Sequence, residues 1–215
     1  MDEGREDPRC SSLIFVLTGA SGSGKTTLAK AVCDEDRAVR FSISHTTRPR
    51  RPKEIDGVDY HFVSRDAFLD MVAEGRFVEW AEIHGYMYGT SWDEIERASS
   101  DGVDLICEIE GFGACQIKAA FPLNTVLIYL LPPSLEELKR RMTSRGQDPP
   151  EEIERRYRNA IEEMGFARIF DYLVINRDFD EAKRDLLAIV RAERLKRVVR
   201  SDVLERFLGS TEEER

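Results

Sequence analysis

A chain of 215 residues with ordinary apolar content suits one sizeable domain with a buried core. Its 41 acidic and 32 basic residues leave a formal net charge of −9, which disfavours nucleic acid as a partner and confines any polyanion to a local basic pocket. The apolar runs fall far below the ~18 residues of a membrane span, MDEGREDPRCSS lacks the basic-then-apolar order of a secretory signal, and Cys10, Cys33, Cys107 and Cys115 show no C-x-x-C or zinc-like spacing, so a cytoplasmic protein with reduced thiols and no membrane attachment is expected.

LIFVLT (13–18) is the first strand, a short apolar run rich in β-formers, as expected of a strand covered on both faces. TTLAKAVCDED continues from it as a helix. Residues 44–98 are polar and aromatic, with Gly57, Gly75, Gly85 and Gly89 as turn points, and predict a small inserted lobe. DLICEIE (104–110), NTVLIYLL (124–131) and FDYLVIN (170–176) are further buried strands, alternating with helical stretches. That alternation predicts an α/β fold with a parallel sheet flanked by helices. Residues 134–164 read as two helices around RGQDPP, with capping boxes at Ser134/Glu137 and Asp148/Glu151, a hairpin able to act as a lid. The division is then a core of about 12–43, 99–133 and 165–200, a lobe of about 44–98, a lid of about 134–164 and a charged tail of about 201–215, with frayed ends.

Between the first strand and first helix, GASGSGKT fits G-x-x-x-x-G-K-[ST] from Gly19 to Thr26. Gly19, Gly22 and Gly24 let the backbone turn tightly and aim its N–H groups at phosphate, and the helix adds the positive end of its dipole. Lys25 reaches the β- and γ-phosphates and the Thr26 hydroxyl binds Mg²⁺. Gly19, Ala20, Ser21, Gly22, Ser23, Gly24, Lys25, Thr26 and Thr27 are therefore the candidate ATP-binding loop, and the fold class is the P-loop NTPase fold. A small GTPase would also carry N-K-x-D on a later strand; NRDFD (176–180) lacks the lysine and the spacing, so a second site must decide the chemistry.

FSISHTTRPRRPKEIDGVDYHF (41–62) packs Arg48, Arg50, Arg51 and Lys53 into six residues, and FVEWAEIHGYMYGTSWDEI (77–95) mixes aromatic residues with Glu79, Glu82, Thr90 and Ser91. Alone, the first is a solvated loop and the second a half-buried strand and turn. Together with the phosphate loop, SISHTTR, DGVDYHFVS, FVEWAEIHG-x-x-YGTS, PPSLEELKRR, RG and VIN occur in the order seen in guanylate kinases, and the chain resembles that family from about residue 13 to 195.

The resemblance implies transfer of the γ-phosphate of ATP to GMP in purine nucleotide metabolism, with an inserted nucleoside-monophosphate-binding lobe, a helical lid and Mg²⁺ as cofactor. It makes Arg48 and Arg51 clamps on the acceptor phosphate, aided by Tyr60 and Tyr88, since guanidinium forks bind phosphate bidentately. It places Ser44, Glu79 and Thr90 on the guanine ring. A carboxylate at Glu79 has independent physical sense: it accepts N1–H and the 2-amino group of guanine together, and adenine offers neither. Arg141, Arg145 and Arg156 would fold over the transferring phosphate, Asn176 would lie near adenine, and Glu108 would support Mg²⁺ through water. His45, His61 and His84 are structural in this reading, because an anionic acceptor needs no strong base.

Two departures stand out. The arginine loop RPRRPKE has its proline one place early and Lys53 for a glycine, although Arg48, Arg51 and Glu54 still align; in CEIEGFGA, Glu110 replaces an aspartate near the acceptor and Phe112 a glutamine. Two alternatives use the same motifs. A related kinase acting on ribose bisphosphate or another monophosphate would have no base edge for Glu79, Ser44 and Thr90 to read. A non-catalytic guanylate-kinase-like binding module typically has a degraded phosphate loop, whereas the loop here is intact.

Overall fold

The computed structural model describes residues 12–20, 22–83, 85–144, 150–196 and 208, apart from the side chains of Ser144, Pro150 and Glu152. The expected capping residue Asp148 and the ends beyond these limits lie outside the described residues.

The first strand, β1 (Ile14–Gly19), lies at the centre of a five-stranded parallel sheet. Its neighbours are β7 (Asp104–Glu108) on one side and β8 (Thr125–Leu131) on the other; β2 (Val39–Phe41) and β9 (Tyr172–Ile175) form the edges. Odd and even residues of β1 feed two different cores. Phe15 and Leu17 pack with Leu28 and Val32 of α1 (Lys25–Glu35) and with Leu186 and Val190 of α7 (Phe179–Glu193). Ile14 and Val16 pack with Ile95 of α3 (Trp92–Asp101) and with Ala114 and Ile117 of α4 (Gly111–Ala120). Burial on both faces explains why the central strand reads as a continuous apolar run.

A second, four-stranded sheet has the order β4 (His61–Phe62), β3 (His45–Thr46), β6 (Tyr86–Ser91), β5 (Phe77–Ile83). Helix α2 (Arg65–Ala73), capped by the Ser64 hydroxyl, supplies Phe68 and Met71 to a small core with Phe77 and Met87. The rings of Phe68 and Phe77 stack at 4.4 Å. Gly89, expected at a turn, instead lies within β6 opposite Trp80. A Cβ there would come within 2.8 Å of the Phe77 ring, so this glycine serves close packing.

Two helices, α5 (Leu135–Ser144) and α6 (Pro150–Glu163), precede a 3₁₀ segment, Met164–Ile169. The Ser134 hydroxyl accepts from the Glu137 N–H at 3.1 Å, the serine half of the expected capping box, while the Glu137 carboxylate turns to Arg140 and Arg141. Leu138 and Met142 of α5 and Ala160 of α6 pack against Ala20 of the glycine-rich loop, so the helix pair is seated on that loop. No helix among the described residues is long and apolar enough to cross a membrane.

Candidate functional site

The glycine-rich loop leaves the carboxyl end of β1 and enters α1 through Gly24, whose φ of 96° places it in the left-handed region; Gly22 is similar at 92°. Both conformations favour glycine. No side chain caps α1, so its first N–H groups remain available to an anion. The Lys25 ammonium is buried and donates to the carbonyls of Gly19 at 2.5 Å and Ala20 at 3.4 Å. The Thr26 hydroxyl donates to the Glu108 carboxylate at 2.6 Å, and Glu108 also lies 4.0 Å from Lys25. Thr27 follows at an exposed position of α1, and Ser23 is fully buried. Ser21 lies outside the described residues.

Asn176, expected near adenine, sits just past β9 and is buried. Its amide nitrogen donates to the Ser23 carbonyl at 2.7 Å, so the side chain braces the loop itself. Its own backbone carbonyl accepts from Arg141 at 3.3 Å. Arg141 also pairs with Glu137 at 2.8 Å, and Arg140 and Arg141 together hold the Glu137 carboxyl well below its usual range. Arg156 is partly buried on α6, and Arg145 lies outside the described residues.

Two adjoining cavities open beside the loop. One, of about 240 Å³, is lined by Thr26, Lys30, Arg48, Arg51, Glu54, Tyr60 and Tyr88, among others. Glu54 organises it: its carboxylate takes both terminal nitrogens of Arg48, at 2.7 and 3.1 Å, and the backbone N–H of Arg51 at 2.8 Å. The Arg48 guanidinium lies over the Tyr60 ring at 5.5 Å. The displaced proline and Lys53 therefore leave Arg48 and Arg51 on one cavity wall. Burial pushes the Tyr60 phenol up to about 12, keeping it a hydrogen-bond donor. From α1, Lys30 reaches Asp59 at 2.9 Å and so ties the core to the second sheet.

The second cavity, of about 180 Å³, shares Tyr60 and Tyr88 with the first and is otherwise lined by Ser44, Glu79, Ala81, Ile83, Glu108, Ile109, Glu110 and Gly113. Glu79 is 5% exposed. It stands opposite Thr90 in the β5–β6 register, just after a bulge, and accepts the Thr90 hydroxyl at 2.7 Å. Burial pushes its carboxyl up to about 7, against the opposing pull of its hydrogen bonds from Thr90. Glu110 begins α4 at the cavity wall, whereas Phe112 is largely exposed and absent from the lining.

Lys30, Glu54, Ala81, Ile83, Ile109 and Gly113 were not singled out as site residues from the sequence; only Glu54 carried a signal, its alignment with the arginine loop. The His45 and His61 rings lie 4.6 Å apart, tilted by 32°, and burial lowers His45 to about 4, consistent with a structural neutral imidazole. Cys33, Cys107 and Cys115 are free thiols. No group of three or more metal-ligating side chains occurs among the described residues.

Comparison with known proteins follows the same lines. Residues 11–193 match the family model for guanylate kinase. The guanylate kinase of Thiobacillus denitrificans is 48% identical over 188 residues, covering 87% of this chain and 90% of that one. A guanylate kinase of Thermus thermophilus is 52% identical over 181 residues, covering 84% and 81%. The crystal structure of guanylate kinase from Anaplasma phagocytophilum superposes with a TM-score of 0.73 at 29% identity, covering 89% of this chain and 90% of that one. With its glycine-rich loop, parallel sheet and paired cavities, the chain belongs to the guanylate kinase family.

Proposed function

We propose that the protein transfers the γ-phosphate of ATP to GMP, giving ADP and GDP. The observation that carries this reading is the adjacency of the two cavities, which share Tyr60 and Tyr88. A buried carboxylate able to read a base lies in one, and through Tyr60 and Tyr88 that cavity adjoins an arginine-lined space reaching Thr26 of the glycine-rich loop.

In this reading Gly19 to Thr27 hold the ATP phosphates, with Asn176 keeping the loop in shape. Arg48 and Arg51 grip the GMP phosphate, pre-oriented by Glu54, while Tyr60 and Tyr88 donate to it. Ser44, Glu79, Thr90 and Glu110 surround guanine. Its N1–H and 2-amino group donate to the Glu79 carboxylate, and Thr90 fixes that carboxylate in place. Adenine would leave the carboxylate unmatched in a site with little water, which is how a polar pocket rejects an analogue.

The chemical obstacle is repulsion between two polyanionic nucleotides in an acidic protein. Lys25, Arg48, Arg51 and the lid arginines Arg141, Arg145 and Arg156 supply the opposing charge. Closing segments 44–98 and 134–164 over the core expels water and brings the phosphates into line. Arg141 then exchanges its hold on Glu137 for phosphate. The Thr26 hydroxyl and Glu108 carboxylate, 2.6 Å apart, are hard oxygen donors without an all-protein cage among the described residues, which suits Mg²⁺ completed by water and phosphate oxygens. When bound there, Mg²⁺ offsets negative charge on the phosphates.

A coupled assay for ADP formation, with ATP and Mg²⁺ against GMP, dGMP, AMP, UMP and ribose bisphosphate, tests the proposal. Turnover is expected with GMP, less with dGMP, and at background with the others. Preference for any acceptor without guanine would overturn it.

A further inference from the structure

Helix α4 opens Gly111-Phe112-Gly113, two glycines in its first turn, although glycine is among the poorest helix formers. Backbone conformation does not require Gly113, which is absent from the glycines with positive φ. What surrounds it does. A Cβ built there would lie 2.5 Å from the Glu79 Oε2, 3.2 Å from its Cδ and 2.6 Å from the Ile109 Cγ2. The retreat open to Glu79 is into the acceptor cavity it lines: its Oε1 is held by Thr90 at 2.7 Å, the residue is otherwise buried, and its strand is paired along β6. The space over Gly113 is filled by the carboxylate and the Ile109 methyl.

We propose that Gly113 is a specificity-determining position: lacking a side chain, it leaves the seat from which the Glu79 carboxylate reads guanine. The inference rests on the guanylate kinase reading and adds to it a positioning residue on α4 that never touches the base. A methyl group at 113 moves Oε2 by roughly 0.9 Å to reach ordinary contact at 3.4 Å. Displacements of that size in an oriented site are worth up to ~100-fold in rate. With Oε1 tied to Thr90, moving Oε2 breaks the paired geometry by which one carboxylate takes N1–H and the 2-amino group together.

The test is a double-mutant cycle with Gly113→Ala and Glu79→Ala, read as kcat and KM for GMP, for inosine monophosphate (which keeps N1–H and lacks the 2-amino group) and for ATP. Gly113→Ala is expected to raise the KM for GMP about tenfold or more and to collapse the preference for GMP over inosine monophosphate to within about twofold. The KM for ATP and the thermal unfolding midpoint should stay near those of the unaltered protein. In the Glu79→Ala background the same substitution should lose most of its effect on the KM for GMP, leaving only what the approach to Ile109 contributes, because no carboxylate is left to displace. A penalty undiminished in that background, or a retained preference for GMP, would overturn the inference. A crystal structure of Gly113→Ala separates this idea from the function reading. A displaced carboxylate with α4 in place supports the seat, and an unmoved carboxylate with α4 tilted refutes it whatever the acceptor. Absence of GMP transfer by the unaltered protein would instead sink the guanylate kinase reading, and the base-reading role with it.

Discussion

Glu79→Gln should stabilise the protein while impairing its use of GMP, and the gain should depend on pH. Burial raises the Glu79 carboxyl from its ordinary 4.5 to about 7, with the Thr90 hydroxyl opposing part of that rise. The folded state therefore holds a proton between those values that the unfolded chain releases. Stability from this residue is greatest below pH 4.5, declines as the pH rises towards 7, and is level above it. At ~1.4 kcal/mol per pH unit the full cost of keeping the ionised carboxylate buried is about 3 kcal/mol. Glutamine is neutral throughout and can still accept the Thr90 hydroxyl, so it escapes that cost. Urea unfolding at pH 5 and pH 8 should then show Glu79→Gln gaining under about 1 kcal/mol at the lower pH and about 3 kcal/mol at the higher, since the remaining titrations are common to both proteins. The same proton opposes substrate, because guanine donates where the proton sits. The affinity of the unaltered protein for GMP should fall more steeply below pH 7 than that of Glu79→Gln, whose remaining slope comes from protonation of the GMP phosphate. An equal gain at both pH values, or none at pH 8, would refute the reasoning.

Three further substitutions probe separate parts of the account. Lys25→Ala should lower transfer by at least about 100-fold, with circular dichroism and unfolding showing a retained fold, because among the described residues the ammonium holds loop carbonyls and a distant Glu108 carboxylate and no part of the apolar core. Asn176→Ala removes the donor to the Ser23 carbonyl and should cost about 1–3 kcal/mol in urea unfolding while raising the KM for ATP more than that for GMP. Arg194→Ala breaks contacts of 2.6 Å to both Asp36 and Asp104, and Asp104 also anchors the Leu13 N–H at the start of the central sheet. It should cost about 1–3 kcal/mol and leave the KM for both nucleotides unchanged in steady-state assays.

Strands β1, β7 and β8 were legible because burial on both faces writes an uninterrupted apolar run. Edge strand β2 was not: Val39-Arg40-Phe41 is only three residues long, and its arginine turns outward to Asp101 at 2.7 Å. Gly89 misled for the opposite reason, since a glycine spared for a neighbouring ring looks the same in sequence as one spared for a turn. The phosphate loop is contiguous, so spacing alone revealed it. The acceptor cavity gathers residues from near 44, 60, 79, 88 and 108–113, and only the ordered set of family motifs connected them. Contacts between those segments left no such trace. The Asn176 amide on Ser23 and the glycine beneath Glu79 depend on distances across the fold that no local pattern encodes.

The account rests most directly on simultaneous occupancy. Isothermal titration of GMP into protein saturated with Mg²⁺ and a non-hydrolysable ATP analogue should give one GMP per chain, with the analogue still bound and its own stoichiometry of one unchanged. Competition between the two nucleotides for a single place would contradict it.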